Sequence, residues 1–187
     1  MTKQATTRDR ILSAAKDLFY REGIRSVGIE AIVQRAEITK PTLYYYFKSK
    51  DDLVVAYLDQ RKDALLASVT KTMDSVTGSV AERIAAVFTS VARETPNPRW
   101  KGCPIVRGAA EFAADPDHGV RQLASAHKKQ VEELFEQALH AEKISNAKRK
   151  ARQLAILLDG AITHAFMHGD PDYAQAAGEA VKPLVGK

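Results

Sequence analysis

The chain predicts an all-α fold, on three observations. No stretch sustains the apolar–polar alternation of a half-buried strand. Apolar residues recur instead three and four positions apart, as on one face of a helix. The punctuation between these runs is that of helix caps, with Ser or Asp standing just ahead of a run and Gly or Pro closing or opening it. About nine helices with short connections follow, and 187 residues suit a small head on a larger body.

The first helix is expected over about 7–22, with Ile11, Ala15, Leu18 and Phe19 on one face and Gly23 as its stop. Two short helices follow, over about 29–36 and 40–46, with room only for a tight turn between them. Ser49 opens a longer helix to about Thr72, and Asp52 sits three residues on, as in a capping box. Thr77-Gly78 breaks the chain. Ser79 and Glu82 then repeat the box and open a helix to about Glu94. Pro96 and Pro98 mark Thr95–Gly102 as a loop. Pro104 suits the first turn of a helix to about Ala114, because its missing N–H costs nothing there. Asp115-Pro116 and Asp170-Pro171 open helices of about 116–142 and 171–183, and one of about 146–167 lies between them.

Charge is distributed unevenly. Residues 1–50 carry ten Lys and Arg against five acids, whereas 51–187 carry eighteen of each. The whole net charge of +5 therefore sits in the first quarter of the chain. A nucleic-acid-binding head on a neutral body has this asymmetry, although a basic face with no partner would share it. No apolar run approaches the roughly 18 to 20 residues of a membrane span. The polar start MTKQATTRDR lacks the apolar stretch of a secretion signal, and one cysteine cannot build a disulfide framework, so a cytoplasmic protein is expected. No Gly-rich phosphate loop, HExxH or nucleophile elbow is present, and an enzyme is not expected.

The motif that carries function lies in 28–47. Ile29, Ile32, Val33 and Ala36 make an apolar stripe on one short helix, Ile38 fills the turn, and Leu43 and Phe47 anchor the next. Lys40, Pro41, Thr42, Tyr44, Tyr45 and Tyr46 are left to be shared among core, groove and phosphates. Two short helices at a steep angle, the second projecting, have the geometry that enters a major groove.

The stretches Ile11-Leu-x-Ala-Ala-x-x-Leu-Phe19, Gly23 and Thr39-Lys-Pro-Thr-Leu-Tyr-Tyr-Tyr-Phe-Lys-Ser-Lys-Asp-Asp-Leu53 closely resemble the TetR family of repressors. The resemblance covers about residues 7–60. It implies a three-helix helix-turn-helix DNA-binding domain over 1–48 and a helical effector-binding and dimerisation domain over 49–187. Position by position, it implies base contacts from Lys40, Pro41 and Tyr44, and phosphate or backbone contacts from Thr39, Thr42, Tyr46 and Lys50. Tyr45 is the tyrosine expected to pack in the core, while Arg8 and Arg10 either add electrostatic contacts or stay solvated. Two positions depart from the family. Gly28 stands where Thr or Ser usually caps the second helix, and Glu37 stands where Gly usually occupies the turn. A left-handed backbone at Glu37 would cost about 1 kcal/mol or more.

In the body, Leu154–Met167 is apolar nearly all round, apart from Asp159 and Thr163. The resemblance implies that the last two helices pair with their copies across a two-fold axis. Leu154, Leu157, Leu158, Ala161, Ile162 and Ala165 are the expected interface, the alternative being a core helix of a monomer. Phe88, Trp100, Cys103, Phe112, Leu123, His127 and Phe166 are candidates either for an effector pocket or for ordinary core. Trp100-Lys-Gly-Cys-Pro104 resembles a Gly-Cys motif that borders the pocket in some family members. Cys103 reads as a buried small hydrophobe or as a redox sensor. His164 and His168 have chelating spacing, but no cysteine or carboxylate stands beside them, so neither a metal nor a cofactor is expected.

The expected function is that of a homodimeric repressor that binds a palindromic operator in double-stranded DNA and is released by a small-molecule effector. The alternative is a regulator without such an effector, controlled by a protein partner or by oxidation of Cys103.

Overall fold

The computed structural model describes residues 6–186, so the first five residues of the polar start lie outside it. The described residues form helices and no strands. Ten segments run in order: α1 (Thr7–Glu22), α2 (Ile29–Arg35), α3 (Lys40–Tyr46), α4 (Lys50–Asp74), α5 (Val80–Glu94), α6 (Pro104–Glu111), α7 (Gly119–Ala141), α8 (Ala147–His168), α9 (Asp172–Glu179) and α10 (Val181–Val185). Nine were expected. The extra one arises because the last helix is interrupted at Ala180. Pro183 explains the break, since its ring nitrogen cannot donate to the carbonyl of Glu179 four residues back and its ring crowds that carbonyl.

Caps fix the ends. Thr6 and Asp9 form a capping box on α1, and Gly23 ends that helix with φ of 91°, a conformation that favours glycine. Ser79 and Glu82 form the expected box on α5. Ser49 Oγ accepts from the Asp52 N–H at 3.0 Å ahead of α4. The start of α7 differs from the expected 116. Residues 115–118 turn instead, and His118 Nδ1 accepts from the Val120 N–H at 3.2 Å, doing the capping expected of Asp115.

The described chain packs as two compact units. One comprises the residues up to Lys62 together with Pro104–Ala124; the other comprises Asp63–Cys103 and the residues from Ser125 onward. The first unit thus takes in more than the 1–48 segment that carries the motif. Its centre is Ile11, Ala15, Phe19, Ile32, Leu43, Leu53 and Leu58, all buried. α6 brackets the end of α1 within this unit: Arg107 Nη1 donates to the Tyr20 carbonyl at 2.8 Å, and Glu111 accepts from the Ile24 and Arg25 N–H groups at 2.9 and 2.7 Å. The second unit is built on Phe88, Phe135, Leu139 and Leu154, packed among α5, α7, α8 and α9. No helix among the described residues is long and apolar enough to cross a membrane.

Candidate nucleic-acid interface

α2 and α3 are joined by a turn whose hydrogen bonds follow from its sequence position. The Glu37 N–H donates to the Gln34 carbonyl at 3.2 Å and the Ile38 N–H to the Val33 carbonyl at 3.2 Å. These are the paired bonds of a Schellman motif, which needs a left-handed residue at its penultimate position. Glu37 supplies it with φ of 52°, where glycine would be unstrained. Thr39 then caps α3, its Oγ1 accepting from the Thr42 N–H at 3.3 Å and lying 2.8 Å from the Thr42 hydroxyl.

Leu43 and Phe47 bury themselves four residues apart and fix which face of α3 turns outward. The outward side chains are Lys40, Pro41, Tyr44, Tyr45 and Tyr46, with Thr42 half-buried. The expectation for Tyr45 is corrected here: it is the most exposed of the three tyrosines, at 83%, against 43% for Tyr44 and 39% for Tyr46. Its position lies roughly 200° around the helix from Leu43, so a core that takes Leu43 cannot take Tyr45. The Tyr45 and Tyr46 rings meet edge to face with centroids 5.1 Å apart. The helix therefore presents a ridge of proline and aromatic edges flanked by a lysine.

That lysine has a partner that sequence reading missed. Lys40 Nζ lies 2.8 Å from Glu30 Oε1 in α2. The bond raises the Lys40 ammonium above the usual lysine range and lowers the Glu30 carboxyl below its own. Lys50 is half-buried at the start of α4, with its Nζ 6.0 Å from the Phe19 ring centroid. Partial burial pushes its ammonium down, against the pull of Asp51 and Glu111. Arg8 stacks over Phe47 at 5.3 Å, and Arg10 donates to the Ala36 and Glu37 carbonyls. Neither is a free cation of a solvated tail.

The second unit holds a cavity of about 150 Å³. A cavity of about that volume can hold a ring the size of benzene. Of the seven pocket candidates, Trp100, Cys103 and His127 line it. Four do not. Phe88 is buried in the core, and Phe166 backs Gly102 from outside, edge-on to Trp100 at 6.2 Å. Phe112 and Leu123 belong to the first unit, where Phe112 stacks on His118 with centroids 3.9 Å apart. The polar end of the cavity is an ion pair absent from those candidates: Lys128 Nζ sits 2.5 Å from Asp159 Oδ1 and 4.0 Å from Cys103 Sγ. Ser68, Thr72, Ser90 and Glu94 add further polar groups to walls of valine and leucine. Only Asp159, a lone acid in an apolar helix, gave any local signal.

α8 divides its faces differently from expectation. Leu154, Leu158, Ala161 and Ala165 are buried in the unit's own core, and Ile162 turns to the cavity. Ile156 and Met167 are the most exposed large apolar residues of α8, at 66% and 61%, and they share a face with Gly160 and Thr163. The rings of His164 and His168 stack 5.9 Å apart, with Tyr173 stacked against both. Among the described residues no cluster of three metal-ligating side chains forms.

Comparison with known proteins places these features. Residues 11–57 match the sequence family "Bacterial regulatory proteins, tetR family", and residues 80–181 match "Tetracyclin repressor-like, C-terminal domain". The HTH-type transcriptional regulator UidR of Escherichia coli K12 is 39% identical over 59 residues, 32% of this chain and 30% of that protein. The chain thus matches less than a third of that relative's length. Whole-chain likeness comes from solved structures. A TetR-family transcriptional regulator from Streptomyces coelicolor is 31% identical, covers 96% of this chain and 94% of its own, and has a TM-score of 0.84. The reduced form of E. coli NemR is 25% identical, with coverage of 97% and 98% and a TM-score of 0.85.

Proposed function

Since the chain belongs to the TetR family of bacterial regulatory proteins, and is a DNA-binding transcription regulator rather than an enzyme, we propose that it acts as a homodimeric repressor released from a palindromic operator by a small molecule. The segment 1–48 is the DNA-binding part and 49–187 the effector-binding and dimerising part, working in the cytoplasm. One observation carries the reading. α3 is anchored by Leu43 and Phe47, and this leaves Lys40, Pro41 and Tyr44 outward, free to read a groove. Lysine suits O6 and N7 of guanine, whereas proline and tyrosine offer apolar contact to a thymine methyl. Thr39, Thr42, Tyr46 and Lys50 serve the phosphates around them.

Two copies would present two such helices to successive half-sites, which explains the expectation of a palindrome. The outward apolar pair Ile156 and Met167 supports a dimer built on α8 and α9. The cavity supports an effector apolar in body and polar where it meets Lys128 and Asp159. Its effect on DNA binding is bounded by its differential affinity for the bound and released states.

The test is a footprint on the DNA upstream of the protein's own gene, followed by titration with salt. A protected palindrome, with affinity falling steeply as salt rises, is expected. Equal affinity for that DNA and random duplex would refute the repressor reading. A second reading, release by oxidation, is favoured by the placement of Cys103 Sγ in the cavity wall 4.0 Å from the Lys128 ammonium. Cys103→Ser separates the two: ligand-driven release survives it and oxidative release does not.

A further inference from the structure

We propose that Arg10 is the positioning residue of the helix-turn-helix, a guanidinium clamp on the carbonyls that end α2. This rests on the reading of α3 as the recognition helix. Arg10 Nη2 donates to the Ala36 carbonyl at 2.6 Å and to the Glu37 carbonyl at 3.0 Å, and lies 3.9 Å from the Glu37 carboxylate. Both carbonyls stand beyond the last turn of α2, where the negative end of the helix dipole gathers and no intrahelical donor remains.

The turn needs such a clamp because of what occupies it. Only Glu37 and Ile38 separate the cap of α2 at Ala36 from the cap of α3 at Thr39. The angle between the two helices is therefore set by very few torsions, and one of them is the left-handed φ of Glu37. A side chain in that conformation is strained, so residue 37 by itself would relax and let α3 swing. Arg10 opposes this from α1, on a separate helix 26 residues earlier, by holding the carbonyls on both sides of the strained φ. It bonds the protein's own main chain, so its contribution to DNA binding is geometric and specific. A phosphate contact would act on every sequence alike.

The experiment uses the full chain and the duplex that it selects from a random-sequence library. Arg10→Met keeps the apolar stem and removes the guanidinium. Its affinity for the selected duplex is expected to fall by about tenfold, while its affinity for random duplex falls by no more than about threefold, as loss of one charge from the head requires, and its salt slope stays as in the wild type. In a Glu37→Gly background, where the left-handed turn carries no strain, the same substitution is expected to cost about threefold or less. Equal losses on selected and random duplex, with the salt slope reduced by about one, would make Arg10 a phosphate contact and overturn the proposal. Losses that are the same with and without Glu37→Gly would overturn it as well. A wild type that selects no sequence defeats the DNA-reading premise itself, a separate result. If Arg10→Met loses helicity, Arg10→Lys is read by the same ratio.

Discussion

Lys40 Nζ stands 2.8 Å from Glu30 Oε1, so in the unbound protein the first residue of α3 is tied to the second residue of α2. A base contact by Lys40 requires this pair to open, and the freed carboxylate then faces a polyanion. Glu30→Gln is therefore expected to raise affinity for the selected duplex by about threefold at low salt, and affinity for random duplex, where the pair can stay closed, by less. Sequence preference widens as a result. Competition binding with the two duplexes measures this, and weaker binding to the selected duplex would contradict it.

Lys50 gives the opposite signature. Lys50→Ala is expected to weaken binding to selected and random duplexes alike and to lower the salt slope by about one, as loss of a single phosphate contact does. Its Nζ rests 6.0 Å from the Phe19 ring centroid in the free protein, so the contact requires the side chain to leave that ring. An unchanged salt slope would confine Lys50 to packing.

The faces of α8 separate core from interface. Leu154 is fully buried, and Leu154→Ala is expected to destabilise the fold by roughly 2–5 kcal/mol. Ile156 is mostly exposed, so Ile156→Asp is expected to leave helicity intact and shift sedimentation toward monomer. A dimer that survives Ile156→Asp would place the interface on another face.

The α5 cap carries a pH dependence. Glu82 accepts from the Ser79 N–H at 2.8 Å and from its hydroxyl at 2.9 Å, and these bonds hold its carboxyl below the ordinary 4.5. Because the folded value is depressed, the stabilisation is complete above the ordinary value and disappears as pH falls through the depressed one. Carbon-detected NMR titration should find the Glu82 midpoint below that of an unperturbed glutamate, with Ser79→Ala moving it up. A midpoint at or above 4.5 in the wild type would contradict the cap.

Most of the architecture was legible because its signals are local. The bounds of α1, α3 and α5 follow from caps and stops within a few residues of each end. The outward residues of α3 were legible through Leu43 and Phe47, which fix the phase of that helix. Tyr45 is outward against expectation because its angle from Leu43, and not its aromatic character, decides its side of the helix. What stayed hidden is non-local. The Arg10 clamp spans 26 residues and the Lys128–Asp159 pair spans 31, with no periodicity to announce either. The cavity draws its walls from α4, α5, α7, α8 and the loop before α6, so Phe112 and Leu123 could not be told from true lining residues by their chemistry. Leu154, Leu158, Ala161 and Ala165 went to the core because an all-round apolar helix does not say which side its own unit claims.

The aromatic inventory has an optical consequence. The only tryptophan, Trp100, sits in the cavity wall, whereas three of the six tyrosines stand outward on α3. The tryptophan therefore lies in one compact unit and five of the six tyrosines in the other, Tyr173 being the exception. Emission excited at the tryptophan edge reports on whatever enters the cavity, and changes that Tyr44, Tyr45 and Tyr46 bring to the tyrosine absorbance band report on what covers α3. The protein can be followed through both events without a label, each at its own wavelength.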